Sequence, residues 1–143
     1  MSDTDVRWVD REPKPIMFRR IPDELPAMQR AWAEVEDLVG MRGRKFYGIF
    51  DAGAVEYLVC AEIRAGDPDD RFGLEVGELA GGAYLQLSLK GEPPGVYGEI
   101  GSGFKRLHAL AERDSQRHDV EFYRRHGEIE LWMPIVTRQG DIH

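Results

Sequence analysis

The sequence predicts an α+β fold made of duplicated strand–helix–strand–strand units, which join in one antiparallel sheet with two helices on one face. Two stretches with helical periodicity carry this prediction, and each is followed by a pair of strand-like segments. Parity is the third observation. Several strand segments place aliphatic side chains on one face and rings with polar groups on the other.

The first half of the chain reads as a strand, a helix and two more strands. A strand is predicted at 15–21, and the residues before it predict an arm that can pair at a sheet edge, where proline is tolerated. The helix has Pro26 in its first turn, Gly40 at its end, and apolar residues at steps of three and four. KFYGIF at 45–50 and VEYLVCAEI at 55–63 are β-rich. The apolar helix positions are Leu25, Met28, Trp32, Val35 and Val39.

The second half repeats this order. Its helix follows from Ile100, Phe104, Leu107 and Ala111, which recur at steps of four, three and four. Glycines at its start each weaken a helix by up to ~1 kcal/mol relative to alanine, so this start is the least regular predicted boundary. Strands are predicted at 74–79, 83–90, 119–125 and 128–136, the last two as a hairpin that turns at His126 and Gly127.

Length and composition indicate a single globular domain. The 143 residues are enough to bury a core, and we place the domain at 15–136, after an N-terminal arm at 1–14 and before a C-terminal tail at 137–143. The net charge of -7 argues against direct binding of nucleic acid, which depends on clustered Lys and Arg. Apolar runs fall short of the ~20 residues that a membrane span needs.

Cysteine and histidine usage predicts neither disulfides nor a metal site. Cys60 is the only cysteine and lies in the apolar run YLVCAEI, where we expect a buried small side chain. The four histidines show no metal-binding spacing, so neither metal nor cofactor is expected. His108 is expected on a helix surface, and Arg124 and Arg125 as solvated charges of the hairpin. The N-terminus lacks an apolar signal segment, and we expect a cytoplasmic protein.

The strand EIELWMPI at 128–135 is the most informative segment. Ile129, Leu131, Met133 and Ile135 share one parity, which leaves Glu128, Glu130 and Trp132 on the opposite face. The same reasoning leaves Tyr84, Gln86 and Ser88 opposite the leucines of 83–90, and it leaves Glu121 and Tyr123 opposite Val120 and Phe122.

Rings mixed with carboxylates are typical of a small-molecule pocket, in which rings stack and a carboxylate offers a counter-charge to a cation. A solvated glutamate at 130 and ordinary half-buried sheet aromatics at 84, 123 and 132 are the alternative. Parity alone establishes a two-faced sheet and leaves the existence of a cavity open.

Four segments carry a resemblance to a known family: the helix around Trp32 followed by KFYGIF, VEYLVCAEI with Tyr57, GGAYLQLSLKGEPPGVY, and EFYRRHGEIELWMPI. The last contains an E-x-Y element at 121–123 and then Glu130, Leu131 and a terminal Met-Pro-Ile. In order and spacing these segments, over roughly residues 15–136, resemble the GyrI-like small-molecule-binding domain. This domain also serves as the effector domain of AraC-type and MerR-type multidrug regulators.

The resemblance implies a ligand cleft between the halves, on the sheet face away from the helices, with Glu130 as its glutamate. The ligand-binding residues that it implies are Glu130, Trp132, Tyr84, Tyr57, Glu121, Tyr123, Trp32 and Tyr97. No helix-turn-helix precedes the matched region, so the chain is not expected to act as a DNA-binding regulator by itself.

Three functions remain open from the sequence. The favoured one is a stand-alone binding protein for lipophilic, aromatic or cationic small molecules, in drug sensing or sequestration. Its alternative is a hydrolase of cyclopropane-type cytotoxins, which some stand-alone family members resemble. In it Glu130 would activate water, and Tyr123 or Tyr84 would position the water or donate a proton. A gyrase-inhibitor-like module with a protein partner is the third.

Overall fold

The computed structural model describes residues 6–125 and 127–137, and it confirms the α+β class with antiparallel strands and two helices. The chain forms two compact units: unit 1 holds 6–12 and 81–137 of the described residues, and unit 2 holds Pro13–Ala80. The strands are β1 (Val6–Arg11), β2 (Lys14–Pro22), β3 (Phe46–Asp51), β4 (Glu56–Glu62), β5 (Glu75–Leu79), β6 (Gly82–Lys90), β7 (Val120–Arg125) and β8 (Glu128–Pro134). The helices are α1 (Leu25–Val39) and α2 (Ile100–Leu110).

Unit 2 has the strand order β3-β4-β2-β5, and its neighbouring strands are antiparallel. Helix α1 begins and ends as predicted, with Pro26 in its first turn and Gly40 at its C-cap with φ 80°. Glycine adopts this positive φ without the steric cost that a Cβ brings. The helix packs on one face of the unit through the helix-side cluster of unit 2, which comprises Met17, Ala31, Val35, Val39, Phe46, Tyr57, Val59, Ala61 and Leu74.

A buried ion pair joins the end of α1 to the loop after β4. The side chains of Arg44 and Asp67 are 3% and 6% exposed, and they form two parallel hydrogen bonds of 2.7 and 2.9 Å. Arg44 also donates to the carbonyl oxygens of Val39 and Glu62, each at 3.1 Å. The Arg44 guanidinium, by its hydrogen bonds, holds the pKa of the Asp67 carboxyl below its usual value.

Unit 1 has the strand order β1-β6-β8-β7, again with antiparallel neighbours. The arm therefore contains a strand, since β1 pairs along its length with β6. Helix α2 follows a short 3-10 turn at Gly95–Glu99. It packs against the helix-side cluster of unit 1, which comprises Ala83, Leu87, Leu89, Val96, Leu107, Ile129, Leu131, Met133 and Ile135.

Close packing explains one glycine at the start of α2. A Cβ on Gly103 would lie 2.4 Å from Leu131 Cδ1 and 3.3 Å from Leu87 Cδ2. Both leucines are buried, so the helix can approach the strands this closely only without a side chain at 103. By contrast, a Cβ on Gly101 would meet nothing within 4 Å.

Three smaller sequence predictions concern surface and core. Cys60 is fully buried and His108 is exposed, both as predicted. The predicted turn at His126 lies outside the described residues. Neither helix of the described chain combines the length and the apolar character that a bilayer-crossing helix needs.

Candidate functional site

Strand β8 presents two different faces, as its parity predicts. Ile129, Leu131 and Met133 belong to the helix-side cluster of unit 1. Glu130 and Trp132 alternate with them and point to the opposite face. Both are nonetheless buried, at 5% and 3% exposure. A buried glutamate that does not face the helix core is the unusual feature of this strand, since such residues are rarely buried unless they are paired.

The register of the neighbouring strands shows which side chains share the face of Glu130. Residues that lie directly opposite each other in antiparallel strands point to the same side. On β6, Gln86 lies opposite Trp132 and Tyr84 opposite Pro134, while on β7 Phe122 lies opposite Glu130. We call the set formed by Tyr84, Gln86, Phe122, Glu130 and Trp132 the polar-aromatic face.

Two rings flank the Trp132 indole on this face. The ring centroids of Tyr84 and Phe122 lie 5.9 and 5.5 Å from that of Trp132, in tilted arrangements. These separations fall within the range in which aromatic pairs attract each other. The three side chains come from three different strands of unit 1, so their cluster depends on strand pairing.

The predicted places of Glu121 and Tyr123 are wrong. Parity assigned them to the face of Glu130, because the apolar Val120 and Phe122 were expected to face the helix. The register instead puts Glu121 opposite Leu131 and Tyr123 opposite Ile129, on the helix side. There the Tyr123 hydroxyl donates to Glu121 Oε1 at 2.6 Å. The suggested catalytic pair of Glu130 and Tyr123 therefore lies on opposite faces.

Three other candidates lie outside the polar-aromatic face. Tyr57 belongs to the helix-side cluster of unit 2, and Trp32 packs against that cluster and meets Phe46 edge-on at 6.1 Å. Tyr97 lies in the turn before α2, with its ring 6.3 Å from that of Tyr123. Trp32 and Tyr57 therefore pack as core side chains of unit 2.

Charge-assisted contacts hold the Glu130 carboxylate. Oε1 accepts a hydrogen bond from the Trp132 indole N–H at 3.0 Å, and Oε2 accepts one from Arg124 Nη1 at 3.1 Å. Arg124, predicted as a solvated charge of the hairpin, is therefore in part a partner of a buried acid. Parity along β7 could not have placed it, because only the pairing with β8 decides the faces of this strand and the register shifts between Tyr123 and Arg125.

Arg11 brings a second guanidinium to the same carboxylate from the N-terminal strand. Its Nη2 lies 3.6 Å from Glu130 Oε1 and donates to Gln86 Oε1. Its guanidinium carbon lies 3.6 Å from the centroid of the Trp132 ring, which is a cation–π contact. Sequence reasoning missed Arg11 because no pattern within the arm reveals that β1 pairs with β6.

Arg117 makes a cation–π contact with the Tyr84 ring. The Arg117 guanidinium lies 5.0 Å from the Tyr84 ring and donates to the carbonyl oxygens of Gly81, Ala83 and Ile135. Burial raises the pKa of the Tyr84 hydroxyl above its ordinary value, although Arg117 acts in the opposite direction. Tyr84 is therefore a neutral phenol at physiological pH, and it can serve as a ring surface and a hydrogen-bonding group.

The polar-aromatic face brings aromatic rings and charged groups together. The rings offer apolar area, and Glu130, Arg11 and Arg124 offer both signs of charge. Among residues 6–125 and 127–137, no three His, Cys, Asp or Glu side chains are placed to hold a metal ion.

Solved structures show what this fold is similar to. An integron cassette protein from the mobile metagenome of Vibrio cholerae aligns over 93% of this chain and 97% of its own, with 13% identity and a TM-score of 0.72. The protein SAV2435, solved bound to tetraphenylphosphonium, aligns over 93% and 94%, with 15% identity and a TM-score of 0.64. A hydrolase from Listeria innocua aligns over 92% of both chains, with 8% identity and a TM-score of 0.56.

The chain shares its fold with these proteins. At identities of 8% to 15%, the likeness concerns the fold alone. No family model matches the sequence, and no curated protein matches it significantly.

Proposed function

We propose that this chain is a GyrI-like binding protein, which takes up small lipophilic molecules with aromatic rings on the polar-aromatic face of unit 1. The observation that carries the proposal is Glu130, a buried carboxylate set among Trp132, Tyr84 and Phe122 on the face away from the helix. Apolar residues in place of Glu130 and its charged partners together would serve a core at least as well, since burying a charge is costly even when it is paired.

The geometry favours stacking as the main source of affinity. Trp132 offers a large ring, and the flanking rings of Tyr84 and Phe122 lie within 6 Å of it. The Arg11 guanidinium covers the indole, so a ligand ring reaches Trp132 only when this side chain shifts to another rotamer. Because the Arg11 side chain is 26% exposed, we expect this shift to be accessible.

A structural neighbour supports small-molecule binding as the kind of function. SAV2435, which shares the fold, was solved with tetraphenylphosphonium, a molecule of four aromatic rings around one charge. We propose drug sensing or sequestration as the role of the present chain, in keeping with such a ligand.

The proposal is tested with two probes of nearly the same shape, tetraphenylphosphonium and tetraphenylborate. By isothermal titration calorimetry in sodium buffers, at least one ion should bind saturably at one site per chain. Trp132→Leu should weaken that binding at least tenfold, because it removes the central ring and the indole N–H bonded to Glu130.

Trp8→Leu is the matched control, since Trp8 lies on β1 but packs against the helix-side cluster of unit 1. It should leave the affinity within twofold of the wild type. The proposal fails if neither ion binds, or if Trp132→Leu binds the ions as tightly as the parent does.

A further inference from the structure

We propose that Arg11 occupies the position over Trp132 that a cationic ligand would take, and that this chain is thereby directed to aromatic anions, such as ring-bearing carboxylates. The inference rests on the proposed function and specifies the ligand class of the same face.

The Glu130 carboxylate already has partners within the chain. It receives the indole N–H of Trp132 and a hydrogen bond from Arg124, and Arg11 lies 3.6 Å away. A cation in the ligand would attract this carboxylate only by taking the place of a guanidinium that is already there. The attraction between ligand and acid is therefore largely offset by the loss of the internal pair.

Arg11 also covers the face of the Trp132 ring. The strongest place for a cation near an indole is over its face, within about 6 Å of the centroid. The guanidinium carbon of Arg11 sits there, at 3.6 Å. The same guanidinium donates to Gln86 and lies near Glu130, so it contacts three neighbours on the polar-aromatic face. Arg11 thus makes, from within the chain, the cation–π contact with Trp132 and the charge contact with Glu130 that a bound cation would make.

The exposure of the side chains decides which charge an incoming molecule meets. The side chain of Glu130 is only 6% exposed, whereas those of Arg11 and Arg124 are 26% and 49% exposed. The accessible groups are therefore guanidiniums, and the carboxylate lies behind them. Two guanidiniums beside one carboxylate leave a local excess of positive charge.

The neighbouring acid does not reverse this excess. Glu128 lies on the same face of β8 and contacts Arg124, Arg125 and Lys90 at 3.4, 3.5 and 4.0 Å. Four cations thus accompany the two acids of β8. An anionic group that enters beside the rings can accept hydrogen bonds from a guanidinium fork, which matches a carboxylate in shape.

The experiment compares the affinities of wild type, Arg11→Met and Arg7→Met for tetraphenylborate and tetraphenylphosphonium. Because the two ions share size and shape, the ratio of their affinities reports charge preference. The wild type should bind tetraphenylborate at least tenfold more tightly. Arg11→Met keeps an unbranched apolar stem but removes the charge, and it should shift the ratio at least tenfold toward tetraphenylphosphonium.

Arg7→Met removes a positive charge from the same strand and the same parity, at an exposed position, and should leave the ratio within twofold of the wild type. Arg11→Gln keeps a polar group near Gln86 and should shift the ratio as Arg11→Met does, which preserves the test if the methionine variant does not fold. If both ions bind but the ratio does not depend on Arg11, the inference is overturned while the proposed function stands. If neither ion binds, the proposed function itself fails.

Discussion

Glu130 illustrates how a single side chain can be both buried and charged. Its oxygens are met by an indole N–H and a guanidinium at 3.0 and 3.1 Å, with a second guanidinium close by. Such partners offset the cost of taking a carboxylate out of water. In turn, the removal of the carboxylate would leave its partners with less compensation for their own loss of water. The contribution of this residue to stability thus lies in a network of three strands, β1, β7 and β8.

Replacement of Glu130 by glutamine should destabilise the fold even though the shapes are nearly equal. The variant removes the charge that Arg11 and Arg124 share, although Arg124 keeps Glu128 at 3.4 Å, and we expect a loss of about 1–3 kcal/mol in the free energy of unfolding. Urea denaturation at pH 7 measures this loss. Glu78→Gln, at an exposed position of β5, is the control and should change stability by less than about 0.5 kcal/mol. Equal stabilities of the two variants would show that the network contributes nothing.

The sequence predicts individual residues of the face unevenly. Glu130 and Trp132 were placed correctly, because the aliphatic residues between them leave no other choice of parity. Glu121 and Tyr123 were misplaced, because in β7 both parities carry an apolar ring and only the pairing with β8 decides between them. Arg11 belongs to a strand whose partner is distant in sequence, and nothing local could reveal it.

At the level of elements, α2 shows why propensity and packing can conflict. Glycine is a poor helix former, yet the helix carries Gly103 at a close contact with Leu87 of β6 and Leu131 of β8. The predicted element order was confirmed, because periodicity over a whole segment is a strong signal. The reason for the glycine could not be predicted, since it depends on a distance between two elements.

Gly103→Ala should destabilise the protein by about 1–3 kcal/mol, because the added methyl group would overlap Leu131 in a filled core. Gly101→Ala is the matched variant in the same helix, where a Cβ meets nothing within 4 Å, and it should stabilise by up to about 1 kcal/mol. Thermal or chemical denaturation of both variants checks the prediction. A stabilising Gly103→Ala would mean that the helix can move away from the strands at little cost.

For the whole molecule, acid should weaken both units. Asp67 in unit 2 and Asp114 in unit 1 each have a pKa held below the ordinary 3.8, the first mainly by the Arg44 hydrogen bond and the second by the backbone N–H of Gln116 and by Arg117. A lowered pKa in the folded state contributes stability that is present above the unfolded value and is lost as the pH falls.

The free energy of unfolding should therefore be nearly constant around neutral pH and should fall as the pH drops below about 5. Urea denaturation at several pH values between 7 and 3 measures the curve. Asp67→Asn should be less stable at pH 7 and should show a shallower loss in acid, because the group that takes up the proton is gone. Asp23→Asn, at an exposed position, is the control. An unchanged acid slope in Asp67→Asn would contradict the assignment.

The discontinuity of unit 1 has a consequence for biosynthesis. Unit 2 is a continuous stretch of chain and can collapse while the ribosome is still adding residues. Strand β1 leaves the ribosome before unit 2 but finds its partner β6 only after unit 2 has been made, and Arg11 meets Glu130 only after β8 has followed. Any capacity for ligands on this face therefore arises only after β8 has been translated, and a nascent chain stalled before β8 would lack it.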